Sequence, residues 1–270
     1  MTTSTNVFMR FYLGTPGTPA RPMRKGQWRG SPFPARSSPT KPSPIAHAPS
    51  NIPSPMETKV FTYESDDVTI TWDQKRCIHA AACVQGLPAV FDPDRRPWID
   101  PAPADADAIE DVVQRCPTGA LHMQRGGTDP ETAPEANRIA LFPNGPLLVR
   151  GDVELVDSDG AVLLRDTRLA LCRCGLSDNK PLCDGSHDGA FDDPGVLQAE
   201  RLSGDGDGAD DPLRIQAAAD GPLLVEGPVT IEATDETTCA GRKGALCRCG
   251  ASDAKPFCDG SHNDVAFTSA

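Results

Sequence analysis

A set of three cysteines and one histidine occurs twice in this chain with the same spacing. Each copy reads Cys-Arg-Cys, then eight residues, Cys, three residues and His, and the second copy begins 75 residues after the first. The candidate donors are Cys172, Cys174, Cys183 and His187 in the first copy, and Cys247, Cys249, Cys258 and His262 in the second. Three thiols and an imidazole form a complete four-ligand set, so the duplicated pattern predicts two like metal sites.

The residues alone leave the metal open. Zinc accepts three thiolates and an imidazole, although usually from a C-x2-C pair rather than C-x-C. Iron-sulfur clusters also use thiolates, and histidine replaces cysteine on one iron of some binuclear centres. We expect a cluster at each site and keep a structural zinc site as the alternative.

Both copies end in Cys-Asp-Gly-Ser-His and carry a Ser and a Pro at matching positions, which are Ser177 and Pro181 in the first and Ser252 and Pro256 in the second. This pattern resembles the CDGSH iron-sulfur family. The resemblance implies one 2Fe-2S cluster per copy, with the C-x-C cysteines on one iron and the third cysteine and the histidine on the other.

Three further cysteines, Cys77, Cys83 and Cys116, precede the repeats. Ile109, Val112, Val113 and Cys116 recur at helical spacing, and Pro117 is expected to stop this helix. Cys116 would then lie at a helix end before a proline, as the last cysteine of a ferredoxin ligand set often does. The segment resembles divergent single-cluster ferredoxin-like domains, but Ala80 stands where such a domain would have another cysteine. The resemblance implies a 3Fe-4S cluster, or a 4Fe-4S cluster with a fourth ligand such as His79 or an exogenous group. The alternative is that these cysteines are buried apolar residues.

The expected fold class is α+β with four segments. Residues 1–56 form a disordered tail rich in Pro, Ser and Arg; 57–126 form a small ferredoxin-like α+β domain; 137–195 and 213–270 form two small β-rich CDGSH modules. The resemblance implies that CDGSH proteins with one motif are dimers. We therefore expect the two modules of this chain to pack as an internal pseudo-dimer, so that the protein is a monomer. Alternation from Val68 to Trp72 predicts a strand, and residues 153–156 and 161–164 predict a hairpin.

Charge and composition narrow the location and the partners. The tail carries seven Lys or Arg and no acidic residue, so the total charge of -12 leaves -19 on the rest of the chain. An acidic body disfavours nucleic acid and anionic membranes and favours basic redox partners. Cysteines grouped by motif, with no apolar run long enough to span a bilayer, predict a soluble, cytoplasmic protein in a reducing compartment.

The expected activity is electron transfer by a protein that is not an enzyme, because no phosphate loop, dinucleotide fingerprint or nucleophile triad appears. The alternatives are cluster storage or transfer to apo iron-sulfur acceptors, and redox or pH sensing. A neutral imidazole makes a cluster less negative than a fourth thiolate, which predicts a potential above plant-type ferredoxins and near or below Rieske centres. Protonation of the imidazole should loosen the cluster in acid.

Four residues beside the donors have secondary expectations. Asp184 and Asp259 are expected to cap a short helix by accepting backbone N–H bonds. Arg173 and Arg248 are expected either to offset cluster charge or to be solvated. Residues 203–211 form an acidic, glycine-rich stretch that is interpreted as a flexible linker.

Overall fold

The structure is a computed structural model that describes residues 58–129, 131–206 and 211–269. The expected tail at 1–56 lies outside these residues. Two sheets and few helices make up the described chain, which agrees with the expected α+β class at that level. None of the described helices is long and apolar enough to cross a membrane.

The first sheet has three antiparallel strands in the order β1-β2-β3. The strand predicted from alternation is β2, and its residues Val68 and Ile70 are buried against an amphipathic helix. Asp105 caps that helix by accepting from the Ala108 N–H at 2.9 Å. The elements are β1 (Val60–Ser65), β2 (Val68–Asp73), a 3-10 turn (Gln74–Arg76), α1 (Ala82–Gly86), α2 (Ala106–Val113) and β3 (Leu121–Arg125).

The second sheet has six strands, three from each repeat. In each repeat a short strand leads into a long hairpin, and the predicted hairpin at 153–164 is part of the first one. The strands of the first repeat are β4 (Arg138–Leu141), β5 (Leu147–Val156) and β6 (Val162–Leu171). Those of the second are β7 (Leu213–Ala217), β8 (Leu223–Glu232) and β9 (Thr238–Leu246).

The two repeats exchange sheet edges. The start of β5 pairs with β4 of its own repeat, whereas its end pairs in parallel with β7 of the other repeat. Likewise β8 pairs first with β7 and then in parallel with β4. A shift in register separates the two halves of each long strand, between Arg150 and Val153 and between Glu226 and Val229. One continuous apolar core therefore receives side chains from both repeats.

Candidate metal centres

Each set of candidate donors lies directly after the long hairpin of its repeat. Cys172 follows the last residue of β6, and the Cys172 N–H donates to Pro181 O at 2.9 Å. The Cys183 N–H returns to Ala170 O at 2.8 Å, so the loop closes on the strand that starts it. In the second repeat Cys247 pairs with Pro256 at 2.8 Å and Cys258 with Ala245 at 2.8 Å. The sheet edge thus holds both ends of each donor loop.

Within each loop the donors come together in two pairs. The sulfurs of Cys172 and Cys174 are 3.7 Å apart, and Cys183 Sγ lies 3.2 Å from His187 Nδ1. The second repeat gives 3.8 Å for its cysteine pair and 3.4 Å for its cysteine and histidine. Two sulfurs bound about 2.3 Å from one tetrahedral metal lie about 3.8 Å apart, and a sulfur and a nitrogen about 3.6 Å. Each pair therefore fits the two protein ligands of one metal ion.

The four candidate donors of each repeat lie in two pairs rather than in one group of four. Among the residues that the structure describes, no three His, Cys, Asp or Glu side chains gather around one point as ligands of a single ion. A mononuclear zinc site would need all four donors around one ion, whereas a binuclear cluster needs two on each metal. The two pairs of each repeat match the count of protein ligands in a binuclear site, which is two on each metal.

In the first repeat the two thiols of the C-x-C pair shift each other's pKa in opposite directions. The neighbouring Cys174 thiol lowers the pKa of Cys172 to about 6, and the same contact raises the pKa of Cys174. Burial raises the pKa of Cys183 to about 12. Since metals bind thiolates, ligation at this site must displace protons that burial otherwise retains.

Serine and aspartate side chains fix the shape of the donor loops. Buried Ser177 donates to Leu182 O at 2.7 Å, and Asp184 accepts from the N–H groups of Asp178 at 2.8 Å and Ser186 at 2.9 Å. The second loop repeats these bonds with Ser252 and Asp259. The aspartates do accept backbone N–H bonds as predicted, but the residues after them form turns and no helix begins there.

Arg173 and Arg248 are buried, so the expectation that they are solvated is wrong. Arg173 donates to Gly145 O, Phe142 O and the Asp193 carboxylate at 2.5 to 2.7 Å, and stacks on Phe191 at 5.1 Å. Arg248 bonds Gly221 O, Ala218 O and Ser269 Oγ at 2.5 to 3.0 Å and stacks on Phe267 at 5.1 Å. Both guanidinium groups therefore tie a donor loop to the turn before the long hairpin.

The donor loops of the two repeats lie against each other. Gly175 has φ +81°, and a Cβ at this position would lie 2.6 Å from Cys249 O; Gly250 has φ +84° and the same relation to Cys174 O. Any side chain here would be strained and would separate the loops. Burial lowers the pKa of both arginines, and a cysteine of the other repeat acts against this fall, Cys247 for Arg173 and Cys172 for Arg248. Each cation therefore lies near a candidate donor of the other repeat.

The three earlier cysteines gather at one end of the first sheet. Cys77 ends the 3-10 turn, Cys83 lies in α1, and Cys116 follows α2. Burial raises the pKa of Cys83 to about 12, and the nearby Cys116 and Cys77 thiols add to that rise. The structure thus brings together the three residues that the sequence singled out.

Two further groups near Cys77 bear on what this site can hold. Burial raises the pKa of Cys77, and the N–H groups of His79 and Trp72 act against that rise. The Trp72 indole N–H is buried near the Cys77 thiol but has no partner of good hydrogen-bond geometry among the described residues, so it is available to an acceptor such as a cluster sulfide. His79, one of the candidates for a fourth ligand, is an exposed residue with φ +56°.

The N-terminal domain packs on the first donor loop. Ile78, next to Cys77, lies against a patch made of Ala140, Leu148, Ala170 and Cys183. Asn179 of the first loop donates to Lys75 O at 2.8 Å. Two candidate centres therefore meet through one aliphatic side chain and one hydrogen bond.

A line of alternating charges joins the same two regions. Arg76 bonds Asp166 at 2.6 Å, Asp166 bonds His122 at 3.0 Å, and His122 lies 3.4 Å from Glu131, which pairs with Arg168 at 2.5 Å. Burial disfavours the His122 cation, but the two carboxylates outweigh burial and raise its pKa to about 9. Arg168 also donates to Cys116 O at 2.9 Å. These charges fix the N-terminal domain on the first repeat.

Sequence reasoning missed both of these contacts. The only signal for Ile78 was an aliphatic residue next to the candidate ligand Cys77. The signal for Arg168 was an arginine at a strand position where the other repeat has Lys243. Glu131 lies in a segment that has no strand or helix, where composition suggests only a connector.

Comparison with known proteins covers the three candidate centres. Residues 63–126 match a family model described as "Divergent 4Fe-4S mono-cluster". Residues 144–188 and 220–263 each match "Iron-binding zinc finger CDGSH type". No solved structure matches the chain.

Two curated relatives are also similar to part of the chain. They are the "Uncharacterized protein YjdI" of Escherichia coli strain K12 and that of Escherichia coli O157:H7. Each is 32% identical over 59 residues, which are 22% of this chain and 78% of the relative. The chain therefore carries a divergent 4Fe-4S mono-cluster domain followed by two tandem domains of the iron-binding CDGSH type.

Proposed function

We propose that the chain holds a 2Fe-2S cluster in each CDGSH repeat and a 3Fe-4S or 4Fe-4S cluster at Cys77, Cys83 and Cys116, and acts in electron transfer without being an enzyme. The observation that carries this proposal is the pairing of donors, at 3.7 and 3.2 Å in one repeat and 3.8 and 3.4 Å in the other. When bound, such clusters supply one-electron chemistry.

The residues around the donors support a role that needs little movement. The serine and aspartate bonds hold each donor loop in place, and the buried arginines place positive charge near thiolates of both repeats. A rigid site reorganises little when its charge changes, which suits electron exchange. The contact of Ile78 with Cys183 places a second centre close to the first repeat.

We also propose that the repeats form an internal pseudo-dimer and that the protein is a monomer. The exchanged edges of β4 and β7 and the contact of the two donor loops support this, because each repeat completes the sheet of the other. Size exclusion with light scattering should give one chain per particle. A dimer joined through one repeat from each chain would contradict the proposal.

The proposed partners are redox proteins with a basic docking face in the cytoplasm, and neither nucleic acid nor membranes. The charge of -19 on the chain after residue 56 supports this, since it attracts a basic partner and repels polyanions. Association should weaken as salt is raised, because steering by surface charge is screened.

The function is tested by anaerobic reductive titration followed by electron paramagnetic resonance. Electron transfer predicts reversible reduction of the cluster signals and rapid reoxidation by an added acceptor such as cytochrome c. Cluster transfer to an apo-ferredoxin, without reversible cycling, would favour the alternative of storage or transfer. A colourless protein that contains zinc would contradict both electron transfer and cluster transfer, and would support a structural zinc-binding protein.

A further inference from the structure

The two CDGSH sites have like donors but different surroundings. In the first repeat the patch of Ala140, Leu148, Ala170 and Cys183 is buried under Ile78. The matching positions in the second repeat are Gln216, Leu224, Ala245 and Cys258 by strand register and spacing. There Leu224 is 40% exposed against 3% for Leu148.

The donors themselves follow the same trend. Cys174 and Cys183 are buried, whereas their counterparts Cys249 and Cys258 are half-buried. Asn179, which bonds the N-terminal domain, has Ala254 as its counterpart. The second loop is contacted instead by the segment before β7: the Gln198 N–H donates to Lys255 O at 2.8 Å, and the Arg201 guanidinium donates to Cys258 O at 3.1 Å in an exposed bond. Two hydrogen bonds from exposed residues exclude water less than a packed aliphatic contact.

We propose that the N-terminal domain closes the first CDGSH site and that the second is the exchange site, which releases its cluster to an acceptor protein. This inference rests on the proposed cluster binding but goes beyond electron transfer. Here the cluster is cargo. Transfer replaces three thiolate bonds and one imidazole bond with ligands of the acceptor, and it needs no oxidant or reductant. The freed side chains take up the protons that the acceptor thiols lose.

Opening is the step that distinguishes the sites. A chelator or acceptor reaches the first site only after Ile78 leaves the patch that includes Cys183 and the Asn179 bond breaks. At the second site Cys258 is only half-buried and Leu224 of the matching patch is 40% exposed, so less of the surface has to open. Since burying one aliphatic side chain changes an equilibrium by roughly tenfold or more, the second site should lose its cluster about tenfold faster.

The order of loss can be read residue by residue. Holoprotein is treated anaerobically with EDTA and iodoacetamide at constant pH, and peptide mass spectrometry follows alkylation of each cysteine. We expect Cys247, Cys249 and Cys258 to be labelled first, and Cys172, Cys174 and Cys183 about tenfold more slowly. Apo-protein labelled alone gives the intrinsic reactivity of each thiol. Equal rates, or earlier labelling of the first set, would overturn the proposal.

Variants at the contact provide the matched controls. Ile78→Asp should speed labelling of the first set to the rate of the second, while Ile78→Val should not. Asn179→Ala tests the same contact without touching the segment beside Cys77, and should speed the first set in part. Asp253→Asn, at an exposed position of the second loop, should change nothing. An unchanged first set in both Ile78→Asp and Asn179→Ala would overturn the proposal.

Failure of the proposed function gives a different result. If the repeats hold no cluster, all six cysteines react at their apo rates before EDTA is added. With an apo-ferredoxin in place of EDTA, cluster arrival at the acceptor should parallel labelling of the second set. Arrival that parallels the first set would contradict the assignment of the exchange site.

Discussion

The first and second CDGSH repeats share a donor arrangement and the bonds that shape the donor loops, and they differ in what packs over those loops. Donor distances agree within 0.1 to 0.2 Å between the copies, as do the serine and aspartate bonds of the loops. By contrast, the polar residues of the first repeat that bond the N-terminal domain are not repeated in the second. The second repeat has Ala254, Gly241 and Lys243 at the positions of Asn179, Asp166 and Arg168. The duplicated part is the metal site, and the divergent part is the docking of the N-terminal domain.

This difference separates the residues that shape the metal site from those that contact the N-terminal domain. Residues that shape the donor loop occur in both copies, such as Ser177 and Ser252. The polar residues that bond the N-terminal domain, Asn179, Asp166 and Arg168, occur in the first copy alone. Substitutions at matched positions therefore separate the two roles.

The largest difference is expected at Arg168 and Lys243. The Arg168 side chain is 1% exposed and bonds Glu131 and three backbone carbonyls, whereas Lys243 is exposed and pairs with Glu226. Arg168→Met should lower the free energy of unfolding by about 3–5 kcal/mol, because it leaves a buried carboxylate and carbonyls unpaired. Lys243→Met should change it by at most about 0.5 kcal/mol. Urea unfolding measures both, and equal effects would contradict the account.

The buried arginines of the loops should differ less. Arg173 pairs with the buried Asp193 carboxylate, whereas Arg248 bonds the Ser269 hydroxyl. Arg173→Met should cost about 3 kcal/mol, since a charge is left without its partner, and Arg248→Met about 1–2 kcal/mol. The same urea series compares them, and a larger loss for Arg248→Met would reverse the expected ranking.

Replacement of the histidine donors should affect the two repeats alike. His187→Cys and His262→Cys each add a negative ligand, which should lower the reduction potential of that site by on the order of 100 mV. Each variant should also lose its cluster more slowly in acid, because no imidazole remains to be protonated. Potentiometric titration and absorbance at low pH measure these effects. Unchanged acid loss would remove histidine from the ligand set.

The smallest effect concerns the charges of the junction. The pKa of His122 is raised to about 9 from an ordinary 6.5, so its stabilising effect is complete below pH 6.5 and is lost as pH rises through about 9. Glu131, with a pKa lowered to about 2, acts oppositely and loses its effect as pH falls from 4.5 towards 2.

His122→Gln should therefore cost on the order of 2 kcal/mol near pH 6 and little above pH 9. Unfolding of both proteins across this pH range measures the difference. A constant difference at every pH would show that the charge of His122 does not contribute.

Local patterns predicted local structure well. Alternation placed β2, apolar spacing placed α2 with Ile109, Val112 and Val113 buried, and turn residues placed the β5–β6 hairpin. One boundary was wrong: Pro117 was expected to stop the helix, but α2 ends at Val113 and a turn carries the chain to Cys116. The eight donors of the repeats were identified from spacing, and the structure pairs them.

Long-range structure could not be predicted in the same way. Parallel pairing of β4 with β8 joins residues about ninety positions apart, and nothing in either strand specifies the partner. The charges from Arg76 to Arg168 appear in sequence as ordinary surface residues, because burial of an ion pair depends on what packs over it. Residues 203–211 were interpreted as a flexible linker, of which 207–210 lie outside the described residues, yet the Ser203 N–H donates to Lys243 O at 2.9 Å.

The central claim is that the two donor quartets hold binuclear iron-sulfur clusters, and chemical analysis tests it most directly. A chain with Cys77, Cys83 and Cys116 replaced by Ser, purified without oxygen, isolates the repeats. The account predicts iron and acid-labile sulfide in equal amounts, about two of each per repeat. One zinc per repeat and no labile sulfide would contradict it.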